Sequence, residues 1–220
     1  MDISRAKDVL DYWFITEDHH MGDYDKWFMK SQDYDEEIKE KFGDLLKEAE
    51  QGKGFGWLHT KDSYVAYIIL LDQFSRHIYR GSGDSFKNDN GCMIFVEMGW
   101  KMYSDQLKGY EFMFAFMPYM HTENKEYSRK GKKIYENHKS IRKHKVRELN
   151  HNITETDEDY IINLQIEMKM LKQMEIHVQG HFHTLQQYGR FPKRNEALGR
   201  KSTEQEINYM ERPEVKKRPY

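Results

Sequence analysis

The sequence predicts an all-α protein in which antiparallel helix pairs stack into a single domain. The chain has 220 residues but only four prolines, two of them near its end, and it is rich in Lys, Glu, Leu and Met. These residues favour helices, and no convincing alternation of apolar and polar residues indicates a strand. Apolar stripes recur at helical spacing between short turns, which is typical of helices that pack against their neighbours.

The composition limits the kind of protein this can be. Charged residues make up 33% and aromatic residues 14%, a mixture that predicts a folded core inside a highly charged surface. The net charge of -2 gives no general attraction to nucleic acid or to anionic membranes. Cys92 is the single cysteine, so no intramolecular disulfide can form and a reducing compartment is expected.

The N-terminal residues lack the apolar segment of a signal peptide, and the longest apolar run, 64–71, is too short to span a bilayer. We therefore expect a soluble cytoplasmic protein without a membrane anchor.

Capping residues and glycines divide the chain into helices. Ser4 is expected to cap a first helix that ends near Phe14, and Gly52 to stop a second helix over 33–51. Thr60 is expected to cap a central helix that ends near Gly81. Further helices are predicted over 84–103, up to a break at Pro118, from a cap at Thr122, over 156–188 with Gly189 after its end, and over 203–210 with a capping box of Ser202 and Gln205. The residues expected in the core include Ile94 and Met98 of the helix over 84–103, and Ile162 and Ile166 of the helix over 156–188.

The charged stretch 129–147 contains nine Lys or Arg residues and one acid, Glu136, and an acidic segment follows it. Because this stretch has few aromatic residues between its cations, we interpret it as a solvated helix within a charged insertion at about 129–159. Nucleic-acid binding is the less favoured alternative. The helical domain is predicted over 1–211, and residues 212–220 are expected to form a disordered tail.

The central helix carries the main indication of a functional site. Its first half is apolar on every side, whereas its second half contains polar and charged residues. At about 100° per residue, Asp72 and Arg76 lie on the arc that Val65 and Ile69 occupy earlier. A buried charge is costly unless it is paired, so this part of the helix is a candidate site.

Three separated blocks resemble a known family. They read LDQFSRHIYRG at 71–81, MPYMHTE at 117–123, and His181 followed by GRFPKRN at 189–195 and LGRKST at 198–203. The blocks are similar to those of a bacterial-type family, domain of unknown function 924, and the resemblance spans nearly the whole chain. It implies a TPR-like fold, a right-handed superhelix of helix pairs, and implies no activity. The sequence departs from the family pattern at Ser75, His77, Ser128 and Lys193, where proline, asparagine, glutamine and histidine are usual.

Each block is polar and charged within an apolar and aromatic setting. Guanidinium groups bind carboxylates and phosphates with two parallel hydrogen bonds, and a histidine can transfer protons near neutral pH. The predicted ligand-binding residues are Asp72, Gln73, Arg76, Arg80, Arg190, Arg194, Asn195 and Arg200. The predicted catalytic residues are His121, Glu123 and His181.

Other interpretations of these residues remain open. The arginines can belong to an internal network that Asp72 and Glu123 neutralise. His177 and His181 have the spacing of zinc ligands on a helix, but the glutamate of the usual motif is absent, so we predict no metal and no cofactor. Nucleophilic catalysis has little support, because Cys92 lies in an apolar segment.

The sequence therefore predicts a pocket for a small anionic or phosphorylated molecule, in which hydrolysis or proton transfer could occur. Arg76, Arg80 and Arg194 would bind the anion, while a histidine or Glu123 moves a proton. The alternative function is a TPR-like scaffold that binds a peptide partner in its concave groove.

Overall fold

The computed structural model describes residues 1–14, 24–149 and 158–216, and these ranges are helical with no strand. The all-α prediction is confirmed. The helices are α1 Arg5–Trp13, α2 Tyr24–Phe28, α3 Gln32–Glu50, α4 Lys61–Ile68, α5 Ser75–Ile78, α6 Asp89–Tyr103, α7 Gly109–His121, α8 Lys125–Leu149, α9 Glu158–Tyr188, α10 Glu204–Met210 and α11 Pro213–Lys216. A π-helix, Ile69–Phe74, joins α4 directly to α5, and 3-10 turns occupy Phe55–Leu58, Gly83–Phe86 and Pro192–Arg194.

The central helix, residues 61–78, comprises α4, the π-helix and α5. Thr60 caps it as predicted, because its hydroxyl accepts from the Ser63 amide while the Ser63 hydroxyl accepts from the Thr60 amide. Every residue from 63 to 75 is buried, with α1, α3, α6 and α7 packed around this helix. Burying a Val, Leu or Ile side chain contributes roughly 1.5–3 kcal/mol, so this helix is the centre of the hydrophobic core.

A group of aromatic rings fixes α1 and α2 to this centre. The Trp13 ring lies 5.3 Å from Phe74 and 5.5 Å from Phe114, measured between ring centroids. Trp27 packs 4.8 Å from Phe114, and its indole N–H donates to the Trp13 carbonyl at 2.9 Å. These edge-on contacts hold the amino-terminal helices against the middle of the chain.

The expected break at Pro118 is wrong, because α7 continues through this proline to His121. Proline removes its own N–H from the helical ladder, but the Thr122 amide still donates to the Pro118 carbonyl at 3.0 Å. The residues around Pro118 are buried on both sides of it, and this packing keeps the turn helical. The expected cap at Thr122 is also wrong: the Asn124 side chain accepts from the amides of Glu126 and Tyr127 and so caps α8.

Helices α8 and α9 form a long antiparallel pair that packs on α7. The basic stretch 129–147 is part of α8. Arg142 turns inward, where its Nε donates to Glu167 at 3.0 Å. Gly189 follows α9 with a φ of 74°, the left-handed conformation predicted for it, and the predicted start at Thr156 lies outside the described residues. Four residues expected in the core are instead exposed: Ile94 and Met98 on α6, and Ile162 and Ile166 on α9.

The C-terminal segment differs from expectation in two places. Thr203 and Glu206 form the capping box of α10, one residue beyond the predicted pair. Residues 213–216 form α11 with Val215 buried, where a disordered tail was expected, and residues 217–220 lie outside the described ranges. No helix in the described ranges combines the length and the apolar composition needed to cross a membrane.

Candidate functional site

The site begins with Asp72, a carboxylate that is 1% exposed within the π-helix. His121, the last residue of α7, donates from Nδ1 to this carboxylate, 2.8 Å from both oxygens. Arg76, one turn further along the central helix, places Nη1 3.0 Å from Asp72 Oδ1. Gln73 donates from Nε2 to Oδ2 at 2.5 Å. The buried charge of Asp72 is therefore paired, as the i,i+4 spacing of Asp72 and Arg76 predicts.

A second carboxylate, Asp89, completes the site from the start of α6. Arg76 donates from Nη2 to Asp89 Oδ1 at 2.9 Å, and Arg194 donates from Nη1 to Oδ2 at 2.8 Å. Arg194 Nη2 also donates to the main-chain carbonyl of His121 at 2.8 Å. Asp72, His121, Arg194, Asp89 and Arg76 thus form a closed ring of hydrogen bonds, which we name the five-residue ring.

Aromatic rings position Arg194 within the five-residue ring. Its guanidinium carbon lies 4.3 Å from the centroid of Phe86 and 4.7 Å from that of Phe191. Such stacking suits the flat guanidinium group, and it favours one orientation of the side chain.

His121 is the ring member that can carry out proton transfer. Burial lowers its pKa and outweighs the nearby Asp72 charge, which acts in the opposite direction, so the imidazole is neutral at pH 7. Because Nδ1 must carry the proton that it donates to Asp72, Nε2 holds a free lone pair. Nε2 has no hydrogen-bond partner among the described residues, and the His121 side chain remains 16% exposed.

The electrostatics keep Asp72 ionised beside this histidine. Burial acts to raise the pKa of Asp72, but the charge of Arg76, followed by His121, outweighs it and lowers the pKa to about 2. Asp72 is therefore a carboxylate at any physiological pH. A neutral imidazole held by a carboxylate is the arrangement that enzymes use to orient a general base.

His181 lies next to His121, with ring centroids 5.9 Å apart, and 5.5 Å from Phe191. Its Nδ1 donates to the His177 carbonyl at 2.8 Å. Burial, with the His121 and Arg194 charges adding to it, lowers the pKa of His181 to about 3, so it stays neutral as well. Across residues 1–14, 24–149 and 158–216, no three His, Cys, Asp or Glu side chains lie in an arrangement that could hold a metal ion.

Residues 189–203, here named the strap, run over the site and supply Arg194. Glu123 anchors the strap: it accepts from the Phe191 amide at 2.7 Å and from Arg200 at 2.6 and 3.0 Å. The carboxylate therefore already has cationic and amide partners, which lower its pKa against the effect of burial. Glu123 holds the strap in place and does not contact the five-residue ring through its carboxylate.

Arg190 and Asn195 of the strap bind Glu206 of α10. Arg190 donates to both oxygens of Glu206 at 2.6 and 2.8 Å, and Asn195 donates to Glu206 at 3.2 Å. Together with Arg200, these residues were predicted to bind a ligand. The structure places them in hydrogen bonds that hold the strap to α10 and to Glu123.

Arg80, just beyond the end of the central helix, lies in a separate cluster with α3. It forms two hydrogen bonds with Asp35 of α3, one of them at 2.8 Å, and His77 Nδ1 lies 2.8 Å from Asp35 Oδ1. The structure therefore brings together Asp72, Gln73, Arg76, His121, His181 and Arg194, and separates Arg80, Glu123, Arg190, Asn195 and Arg200 from them.

Sequence reasoning did not identify Asp35, Asp89 or Glu206, the acids that neutralise the arginines. Each lies in the first turn of a helix, where an acid is common for its interaction with the helix dipole. The blocks did contain one signal, because their arginines outnumber their acids. Buried arginines need carboxylate partners, so further acids had to come from elsewhere in the chain.

Comparison with known proteins is consistent with this fold. The structure of a protein of unknown function from Agrobacterium tumefaciens is similar to the chain, with a TM-score of 0.68 and 24% sequence identity. The match covers 94% of this chain and 97% of that one, which shows a shared fold. No curated protein sequence matches the chain. A family model described as bacterial protein of unknown function (DUF924) matches residues 9–214, so the chain belongs to the DUF924 family, as its three sequence blocks predict.

Proposed function

We propose that the protein is an enzyme that uses His121 as a general base in the hydrolysis of a small anionic molecule, or in a related proton transfer. The observation that carries this proposal is the pairing of a buried carboxylate, Asp72, with a partly exposed histidine whose Nε2 is free. Purely structural ion pairs do not require that the histidine keep an unprotonated nitrogen near solvent.

In the proposed reaction, His121 Nε2 takes a proton from a water molecule or a substrate hydroxyl. Asp72 then stabilises the imidazolium through the proton on Nδ1, and the imidazolium returns its new proton to the leaving group. His181, kept neutral by burial, offers a second hydrogen-bonding group beside His121.

Arg76 and Arg194 are the proposed contacts for negative charge on the substrate. Both already share Asp89, so the two guanidinium groups and the two ring carboxylates balance each other. A bound anion would therefore share these arginines with Asp89, and we expect it to interact most strongly when charge develops in the transition state. Arg80 is left out of the proposed anion site because Asp35 holds it elsewhere.

Metabolite profiling tests this proposal and does not require a chosen substrate. The protein is incubated with a cell extract, and the loss of small anions is followed by mass spectrometry. We expect wild type to consume at least one anion and His121→Gln to lower that rate by about 10²-fold or more. His77→Gln, the matched control from the second histidine–aspartate pair, should retain the activity. The proposal is wrong if His121→Gln consumes the same compounds at the wild-type rate, or if wild type consumes none.

A second candidate function is peptide binding by a TPR-like array of the helix pairs. The observation that favours it is a stripe of exposed apolar side chains on α6, formed by Ile94, Met98 and Met102. Exposed apolar patches often mark protein interaction sites. Selection of displayed peptides tests it: Ile94→Asp should abolish the binding of a selected peptide, while His121→Gln should leave it unchanged.

A further inference from the structure

We infer that Asp89 is a positioning residue of this site, which holds His121 through both its side chain and its main chain. This inference rests on the proposed function of His121, but it concerns a residue that does not contact a reacting atom. It follows from the route of the hydrogen bonds around the five-residue ring.

Asp89 connects two parts of the molecule that are distant in sequence. It is the first residue of α6 and is 8% exposed, and each of its oxygens accepts from a different guanidinium group. Arg76 comes from the central helix, and Arg194 comes from the strap. Asp89 therefore joins the strap to the central helix at the site itself.

Each arginine then holds a different part of His121. Arg76 contacts Asp72 Oδ1, and Asp72 fixes the Nδ1–H of the imidazole. Arg194 donates to the His121 carbonyl, which fixes the end of α7. Without the Asp89 carboxylate, two like charges would lie next to each other in a buried place, and their repulsion would separate them.

The charges around His121 determine the direction in which its pKa should change when Asp89 is replaced. The Asp89 carboxylate raises the pKa of His121, and the Arg76 guanidinium lowers it. Loss of the carboxylate would therefore lower the pKa, and it would also leave Arg194 without its carboxylate partner and Arg76 with Asp72 alone, which acts in the same direction. The titratable and charged groups that face His121 are Asp72 and Arg76 of the central helix, Asp89 of α6, His181 of α9 and Arg194 of the strap.

Side-chain NMR of ¹⁵N-labelled histidines tests the inference, because it reports both the pKa and the tautomer of His121 without any substrate. In wild type, the proton should reside on Nδ1. In Asp89→Asn, we expect the pKa of His121 to fall by about half a unit or more and the Nδ1–H form to lose its dominance. Asp89→Glu, which keeps the charge, should restore much of the wild-type behaviour.

Asp35→Asn is the matched control, since Asp35, like Asp89, accepts from an arginine of this part of the chain but lies outside the five-residue ring. It should leave the titration of His121 unchanged. If folded Asp89→Asn gives the wild-type pKa and tautomer, the inference is wrong, whatever its effect on stability.

If Asp89→Asn does not fold, Arg194→Gln tests the inference in its place. This variant removes a cation next to His121 and breaks the link from Asp89 to the His121 carbonyl, so the pKa of His121 should rise and the Nδ1–H form should lose its dominance. A wild-type tautomer would again overturn the inference. The NMR result is independent of the activity assay. Loss of activity in His121→Gln with a wild-type titration in Asp89→Asn would sustain the proposed function and reject the positioning role.

Discussion

Two clusters on the central helix contain the same three kinds of side chain. One consists of Asp72, Arg76 and His121, and the other of Asp35, His77 and Arg80. In both, the aspartate contacts an arginine and the Nδ1 of a histidine at 2.8 Å. The chemistry of the pairing is therefore the same, and the difference between the clusters lies in their orientation.

The exposure of the side chains is reversed between the clusters. In the first, the Asp72 side chain is 1% exposed and the His121 side chain 16%, whereas in the second His77 is 5% exposed and Asp35 16%. His77 also lies 5.8 Å from the ring of Trp13, inside the aromatic core. The first cluster exposes its imidazole, so His121 is accessible to a small molecule. The second exposes its carboxylate and buries His77, so its main effect is to hold α3 against the central helix.

The largest expected effect is on stability. Asp72→Ala removes one of the two carboxylates that pair with Arg76 and the acceptor of the His121 Nδ1–H, and we expect the free energy of unfolding to fall by about 3–5 kcal/mol. Asp35→Ala, whose partner Arg80 is partly exposed, should cost about 1–2 kcal/mol. Equilibrium unfolding in urea measures both. Equal losses would contradict the contrast in burial.

The next largest effect is expected on the stability of the protein in acid, through the carboxylate of Asp72. The folded state lowers the pKa of Asp72 to about 2, so its stabilising effect is complete above the unfolded value near 3.8 and disappears as the pH falls towards 2. The stability advantage of wild type over Asp72→Ala should therefore shrink between about pH 4 and pH 2. Urea unfolding at a series of pH values measures this difference, and a constant difference over that interval would refute the depressed pKa.

The smallest effect concerns reactivity in the folded protein. Diethyl pyrocarbonate modifies unprotonated imidazole nitrogens, so the more exposed His121 should react several-fold faster than His77 at pH 7. Mass spectrometry of peptides from briefly treated protein gives both rates. Unfolded protein in urea serves as the control, because the two rates should become similar there. Faster modification of His77 would reverse the assignment of roles.

Helical spacing was sufficient to predict some of the site. The pair Asp72 and Arg76 follows from a charged continuation of a buried face, and the three blocks include His121 and Arg194. The partners Asp35 and Asp89 could not be predicted, because tertiary packing alone brings first-turn acids to arginines elsewhere in the chain. The sequence therefore indicates where charge is buried, but not which acid neutralises it.

The helices were predictable from the sequence because a buried charge and a buried apolar face both follow helical spacing. Their prediction failed where tertiary packing decides the outcome. Long apolar periodicity gives the helices and their order, since burial of one face determines each of them. The helical turn beyond Pro118 was missed because packing on all sides outweighs a single lost hydrogen bond. Exposed Ile94 and Ile162 were expected in the core because an apolar residue on a helix does not reveal which face meets a neighbour.

The widened turn at Ile69–Phe74 has a consequence for how this protein can tolerate change. Bonds in a π-helix span five residues where an α-helix spans four, and one residue changes the direction of all later side chains by about 100°. A one-codon deletion before Asp72 in this turn would let the helix tighten, and it would rotate Asp72 away from His121 and His77 away from Asp35. Both clusters thus depend on the number of residues in this six-residue segment, as well as on Asp72 within it.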